Sequence, residues 1–468
     1  MKSKLITFLL FIFMSSVGLH SANACRQGGF DISYIHLNGP NYRVHCNFYR
    51  DCSGIMLNTL TLTVTSVNCG YTNTYTMVPV THTGLQLTHA CYGHDINCNG
   101  GSELGMELWE YEVDVVLGQC PDWSLSVYDC CRNSAITTLQ SPATGLVVEA
   151  RLDNSIDDNS SPQFQNNPFF IGYPNQDFHF NNGAVDPDGD SLVYLLVAPR
   201  MGLNTLINYF PPLSSQQPFE SLHPITLDSS TGDFFMHPTI AQVGVIVYEI
   251  LEYRNGQLIG SVTRDIILFI LPYPNNSPGL SGINGGIMHT VNAFPGYELC
   301  FDILSNDLDA GDSLFITWNQ GIPLGSFTSS NSLHPAGTFC WTPQWNDARP
   351  QPYIFTASVT DNGCPISSTA IFSYAVYVTT DSTLINSTIS PSGEANMLTI
   401  SPNPSNGVFT ILNSEKFSNV RVYNPLGVRF SEKVVHGTIN LSNQPAGIYF
   451  VEAVMHDGKA TWLKVIKE

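Results

Sequence analysis

The stretch Asp186-Pro187-Asp188-Gly189-Asp190-Ser191-Leu192 constrains its own fold more tightly than any other in the chain. Three carboxylates stand at alternate residues, and the Pro and Gly between them force a turn. Like charges packed this closely repel, and a loop holds them most readily around a cation. Oxygen-only ligands in a flexible turn favour a hard ion, which points to Ca²⁺. A related turn, Asp307-Leu308-Asp309-Ala310-Gly311-Asp312-Ser313-Leu314, follows 121 residues later. Paired carboxylates also serve general acid/base catalysis, so the surrounding chain must separate a catalytic site from a repeated fastening.

The two turns sit in segments that repeat each other. After the first come Gly232-Asp-Phe234-Phe-Met-His-Pro238 and Glu252-Tyr-Arg-Asn-Gly256. After the second come Gly337-Thr-Phe339-Cys-Trp-Thr-Pro343 and Asp361-Asn-Gly363. The Gly-x-Phe-x-x-x-Pro spacing is the same in both, and a period of about 110 residues matches one Ig-like sandwich. Duplication favours structure over catalysis, because adjacent turn carboxylates converge on one ion more readily than across a substrate cleft. Together, the acidic turn, the Gly-x-Phe-x-x-x-Pro strand and the closing Val359-Thr360-Asp361 resemble bacterial cadherin-like repeats. That resemblance implies structural Ca²⁺ ligated by Asp186, Asp188, Asp190 and Glu252, and by Asp307, Asp309, Asp312 and Asp361. The second turn departs from the pattern by one inserted residue before Asp312.

The start of the chain reads as a secretory signal peptide over 1–24. Lys2 and Lys4 precede an apolar run from Leu5 to Val17, and Ala22-Asn23-Ala24 supplies the cleavage pattern. Cys25 directly after the cut leaves open a lipoprotein, although Ala22 stands where Leu is usual. No other segment is long and apolar enough to be a transmembrane span. Residues 25–390 carry 9 Arg, no Lys and 32 Asp plus Glu, a net of −23. So acidic a body, lacking a basic patch, argues against nucleic-acid binding, which rests on neutralising phosphates, and no nucleic-acid partner is expected.

Period-two alternation in Tyr42–Tyr49, Thr59–Val64 and Trp109–Val115 predicts strands, and no helical stripe competes with them. The expected fold is all-β: tandem Ig-like or cadherin-like sandwiches with a small C-terminal β-sandwich. The expected divisions are a cysteine-rich module at 25–155, sandwiches at 157–273 and 274–381, and a last domain at 391–468, with Asp153 to Asn167 as a linker. Twelve cysteines in an exported chain predict disulfides. Nine lie between Cys25 and Cys131 and three downstream, so either one bridge crosses modules or each group keeps a thiol. Cys300 pairs with Cys340 on this reading, leaving Cys364 over. The vicinal Cys130-Cys131 pair is expected to reach two different partners. His89, Cys91, His94 and Cys98 have a spacing that could suit zinc, with disulfides the better account in an oxidising compartment.

The last segment shows Leu398-Thr-Ile-Ser-Pro402-Asn-Pro404, then Val420-Arg-Val-Tyr-Asn-Pro-Leu-Gly427, Pro445-Ala-Gly-Ile-Tyr-Phe-Val451 and Trp462-Leu-Lys-Val-Ile-Lys467. These motifs resemble the type A C-terminal sorting domain of the type IX secretion system. The resemblance implies passage across the outer membrane, removal of the tail, and release or attachment at the cell surface. Tyr42-Arg-x-x-x-x-Phe48-Tyr-Arg-Asp-Cys-Ser-Gly54 is also similar to a motif of large secreted surface proteins of uncertain biochemistry.

No Gly-x-Ser-x-Gly elbow, His-Glu-x-x-His or phosphate-cradling loop is present. The functional expectation is an exported adhesion or surface-structure protein, whose partners are the type IX machinery through 391–468 and surface polysaccharide or other cells. The alternatives are a secreted hydrolase or a glycan-binding protein with its site in the cysteine-rich module. Trp109, Trp123, Trp318, Trp341 and Trp345 are sugar-stacking candidates, and core packing is the commoner fate of such residues.

Overall fold

The computed structural model describes residues 27–380 and 398–467, apart from positions 57, 82, 131, 142–143, 169–170, 310, 399, 413, 424–428, 431–436 and 457–459. The expected signal peptide, Cys25, Cys131 and the segment joining 380 to 398 lie outside the described residues. Among those residues there is no α-helix; strands are joined by loops and three-residue 3₁₀ turns.

Alternation sets the first sheet. Along Asn41–Asp51, Tyr42, Val44, Cys46 and Phe48 turn into the first core while Asn41, Arg43, His45 and Asn47 stay half-exposed, and Tyr49 is buried on the opposite face. Hydrogen bonds run from Gln27–Asn38 to Asn41–Asp51, Met106–Val116, Tyr71–Pro79, Leu60–Ser66, Trp123–Asp129 and Leu146–Leu152. The next strand is Gln257–Ile270, which pairs with Leu146–Leu152 and also back onto Gln27–Asn38. The circuit is thereby closed around Phe30, Tyr34, Val44, Leu62, Val64, Leu125 and Val148.

This closure corrects the expectation of a self-contained module over 25–155. The open edges of Gln27–Asn38 and Leu146–Leu152 are covered by a strand that lies more than a hundred residues downstream, which leaves neither edge as a pairing template. Gln257–Ile270 is long enough to do this and still complete its own sandwich. Gly260–Val262 meet Leu152–Ala150, Arg264–Ile266 meet Asp31–Gly29, and Phe269–Ile270 run parallel to Ile171–Gly172. Gly29 is needed at the crossing, since a Cβ there would sit 2.2 Å from the Asp265 carbonyl oxygen. On its other edge the strand forms a hairpin with Gln242–Arg254, turning at Asn255-Gly256 with both φ values positive, the requirement of a type I′ turn.

Two adjacent residues of that strand fix the junction. Successive strand residues face opposite ways, and here both are buried and charged. Arg264 donates to Asp31 Oδ2 and the Tyr49 hydroxyl at 2.9 Å each, and to the Asn166 carbonyl at 2.9 Å, with its guanidinium 4.0 Å above the Phe164 ring. Asp265 accepts two 2.5 Å bonds from Arg132. Removing one member of such a pair leaves an uncompensated buried charge, which typically costs about 3–5 kcal/mol.

The second and third modules share one topology. In the second, Ile171–Gly172, Gln257–Ile270, Gln242–Arg254 and Ser191–Leu196 pair in that order, facing Phe178–Asn181, Asp233–Met236 and Thr226–Leu227. In the third, Thr290–Ala293, Thr369–Val378, Tyr353–Thr360 and Phe315–Trp318 repeat the first set, and Leu299–Asn306, Ala336–Trp341 and Ser326–Ser329 the second. Each module has a short early strand, Ile171–Gly172 or Thr290–Ala293, parallel to its last strand, and the Phe of each Gly-x-Phe-x-x-x-Pro motif, Phe234 or Phe339, is buried. The second core draws in Tyr49, Met106 and Leu139 from one neighbour and Ile366 and Ile371 from the other.

Disulfides join Cys52 to Cys98, Cys69 to Cys120, Cys300 to Cys340, and Cys91 to Cys364. The last corrects the expectation that Cys364 is left over: it bridges the first and third modules across 273 residues. It closes where Ser367 N–H donates to the His89 carbonyl and Ala90 bridges Ile366. Cys91 and Cys98 are both oxidised here, which removes the zinc alternative. Cys46 is a buried free thiol. The tail packs Ile400–Ser401, Val408–Ile411 and Thr438–Asn440 against a sheet of Arg429–Phe430, Phe417–Tyr423, Gly447–Met455 and Ala460–Lys467, around Phe409, Val422, Leu441 and Val451.

The shared strand makes a direct prediction. Residues 157–273 expressed alone lack Asp31, Tyr49 and Arg132, and are expected to show no near-UV circular dichroism and no cooperative urea transition. Residues 27–273 are expected to unfold in one transition, and a cooperative transition from the short fragment would contradict the shared-strand account.

Candidate metal centres

Each acidic turn is built by its first aspartate. Asp186 Oδ1 accepts from the backbone N–H groups of Asp188 and Asp190, both at 2.9 Å, and Asp307 Oδ1 accepts from that of Asp309 at 2.8 Å. These Asx-type bonds curl the loop, and Gly189 takes the positive φ of 83° that the curl requires. The first aspartate then has one oxygen committed to the loop and one left over.

The leftover oxygens converge. Carboxylate oxygens of Asp186, Asp190 and Glu252 lie within 4.8 Å of one another, and so do those of Asp307, Asp312 and Asp361. Glu252 reaches the first cluster because Leu192 pairs directly with it across the sheet, putting the start of one strand beside the end of the other. Glu252 is wholly buried, and its Oε1, like Asp186 Oδ2 and Asp307 Oδ2, is buried without a hydrogen-bond donor. Asp312, set one residue later than Asp190, still joins its cluster.

Asp188 and Asp309 behave differently from the other six. Asp188 Oδ2 accepts from the Ser160 N–H at 2.7 Å, and Asp309 Oδ2 from the Asn276 N–H at 2.9 Å. The residue before each donor also binds: Asn159 donates to Glu252 Oε2 at 2.8 Å and Asn275 to Asp361 Oδ2 at 2.9 Å. The chain entering each sandwich is thus tied by one Asn side chain and one N–H to its acidic turn. Sequence reasoning missed Asn159 and Asn275. Their signal was present, for Asn159-Ser-Ser-Pro162 and Asn275-Asn-Ser-Pro278 share an Asn-x-Ser-Pro pattern.

Burial, then the Asp186 charge, pushes the Glu252 carboxyl up to about 10, and burial raises Asp186 as well. Burial pushes Asp361 up to about 6, against the bonds it accepts from the Ser368 and Gly363 N–H groups and Asn275. Asp307 and Asp312 are also raised by burial. The clusters differ in one countercharge. Arg254 grips Asp190 through Nε at 3.0 Å and Nη2 at 2.6 Å, whereas among the described residues no Arg or Lys forms an ion pair with the four acids of the third module. Either a proton or a cation must sit between the crowded oxygens, and an all-oxygen set of carboxylates fits Ca²⁺.

The described tryptophans divide clearly. Trp123 and Trp341 are buried, Trp109 and Trp318 are half-buried, and Trp345 is exposed.

Residues 399–468 match the family described as secretion system C-terminal sorting domain. No curated protein matches the chain. Among solved structures, the two Ig domains of Dpr2, in complex with DIP-Theta, align over 48% of this chain and all of theirs at 13% identity and TM-score 0.21. Zebrafish RET cadherin-like domains 1 to 4 align over 82% of this chain and 93% of theirs, at 12% identity and TM-score 0.16. An endo-fucoidan hydrolase of glycoside hydrolase family 107 aligns over 58% of this chain and 36% of its own, at 14% and 0.17. The Ig-like assignment rests on the strand order given above. The tail is a type IX sorting domain, which directs this chain to the outer surface or the medium.

Proposed function

We propose that the chain is a non-catalytic adhesion or surface-structure protein whose sandwiches are locked in series by Ca²⁺ at the two acidic turns. The observation that carries this reading is Glu252, a wholly buried carboxyl clustered with Asp186 and Asp190, whose Oε1 receives no hydrogen bond from an N–H or hydroxyl of the chain. Each turn also holds the segment entering its sandwich, through Asn159 and Ser160 or Asn275 and Asn276. An ion there stiffens the entry to a module rather than meeting a substrate. The ligands we assign are Asp186, Asp190 and Glu252, and Asp307, Asp312 and Asp361, with Asp188 and Asp309 positioning the loop from the adjacent backbone. The crossing disulfide and the shared strand stiffen the same assembly, which suits a body that presents itself outside the cell.

Two outcomes test calcium. At a hundredfold excess over Kd, one ion adds about 2.7 kcal/mol, which raises Tm by roughly 5–10 °C for a unit of this size. Chelation is expected to reverse that rise in differential scanning calorimetry, and an unchanged Tm would refute the reading. The pH dependence has a definite sign. Glu252 and Asp361 are raised in the folded state, so without an ion their contribution to stability is fully present only below the ordinary, unfolded carboxylate range of about 4. Stability is then lost as pH rises through about 6 for Asp361 and towards about 10 for Glu252. Calcium replaces those protons, so saturating calcium flattens the slope. Glu252→Gln is expected to raise Tm in chelator at pH 8 and lower it in calcium; a same-sign effect in both would count against an ion there.

The export reading is tested by deleting residues 391–468. Cell fractionation is expected to find the truncated chain retained in the periplasm, and normal appearance outside the cell would overturn the tail's role.

A further inference from the structure

At the end of the third sandwich away from its acidic turn, three aromatic rings form a small platform. The strand Tyr353–Thr360 runs from this end to Asp361, so the two features lie at opposite ends of the module. Phe294 occupies the middle, with the Tyr297 ring at 5.7 Å and 66° and the Trp345 ring at 5.7 Å and 77°. A T-shaped contact with Phe294 uses one edge or one face of each outer ring, and Tyr297 is 70% and Trp345 65% exposed.

The platform is held rigidly. Gly296 N–H donates to the Pro343 carbonyl at 2.8 Å, joining the loop that carries Tyr297 to the loop that carries Trp345. Gln344 N–H donates to Asp347 Oδ2 at 2.6 Å, fixing the 3₁₀ turn that Trp345 opens. Behind both loops, the Cys300–Cys340 disulfide staples the paired strands from which they leave. A groove of about 430 Å³ adjoins the platform, lined by Asn292, Arg349, Tyr377, Thr379 and Thr380.

We propose that this platform and groove bind a neutral polysaccharide. Preorganised aromatic faces suit the apolar faces of pyranose rings, and immobilising them in advance lowers the entropic penalty of binding. The groove rim is polar without being anionic, with Asn292, Thr379 and Thr380 along it. Its one cation, Arg349, lies 3.8 Å above the Tyr353 ring and donates to the Gln351 and Pro352 carbonyls, so it is occupied internally. Glu298 and Asp347 border the rings, and the whole chain carries −20. A polyanion would be repelled by such a field, and an uncharged glycan would not.

The proposal rests on the surface reading only for where the face is displayed, and the following solution test fails separately from it. The full-length secreted chain is run in affinity electrophoresis through gels containing a neutral β-glucan, xylan or α-mannan, with alginate as the anionic contrast. Retardation by at least one neutral polymer and not by alginate is expected. Trp345→Ala and Tyr297→Ala should each weaken it by roughly tenfold or more, Trp345→Phe should retain most of it, and all three should keep the parental Tm. No retardation in any neutral gel, retardation by alginate alone, or equal retardation of Trp345→Ala would overturn the assignment. So would self-association that Trp345→Ala abolishes without any glycan effect.

Discussion

The conflict between Asp186 and Glu252 is the constraint on which the rest of this architecture turns. The buried Glu252 and the half-buried Asp186 cannot both stay charged side by side without a positive partner between them, and Arg254 is already engaged with Asp190. The fold accepts this crowding at the start of the second sandwich and repeats it, without the guanidinium, at the start of the third. A feature that unfavourable, kept twice at equivalent strand ends, is intelligible as two sockets for a divalent ion. Because the incoming chain is hydrogen-bonded to these acidic clusters, an ion bound as we propose would order the path between modules as well as the turn.

Rigidity is built by other means elsewhere. The first and second sandwiches do not meet as separate bodies; they share Gln257–Ile270, and its Arg264 and Asp265 each anchor on a residue of the first. Such buried pairs specify one register, since a one-residue slip would exchange the faces of both charges. The third module is fastened by the Cys91–Cys364 bridge, by Asn166 donating to Thr356 Oγ1 at 2.9 Å and by Ser373 bonding Asp233. A linear array of sandwiches thereby becomes a body with contacts from first to third module, displayed outside the cell by its sorting tail.

What the sequence disclosed was local. Period-two alternation located strands such as Asn41–Asp51, the duplicated motif placed Phe234 and Phe339 in equivalent cores, the acidic turns revealed four of the six converging carboxylates, and the cadherin-like resemblance pointed to the other two, Glu252 and Asp361. What stayed hidden depends on distant partners. Nothing near residue 155 says that a strand beyond residue 256 closes the first circuit, because its edge pairing uses backbone groups that every residue carries. Cys364 could not be matched to Cys91 from spacing across 273 residues. Asn159 acts on an acid 93 residues away and Asn275 on one 86 away, so their shared Asn-x-Ser-Pro pattern marks the two positions without naming their partners. Trp341 and Trp345 lie four positions apart, one buried and one exposed, and only the packing of their loop separates them.

Anomalous diffraction from crystals grown in calcium tests the central claim most directly. The account predicts one peak among Asp186, Asp190 and Glu252 and a second among Asp307, Asp312 and Asp361, each surrounded by oxygens at about 2.3–2.6 Å. Absence of both peaks, with Glu252 and Asp186 instead bridged by a proton, would contradict it.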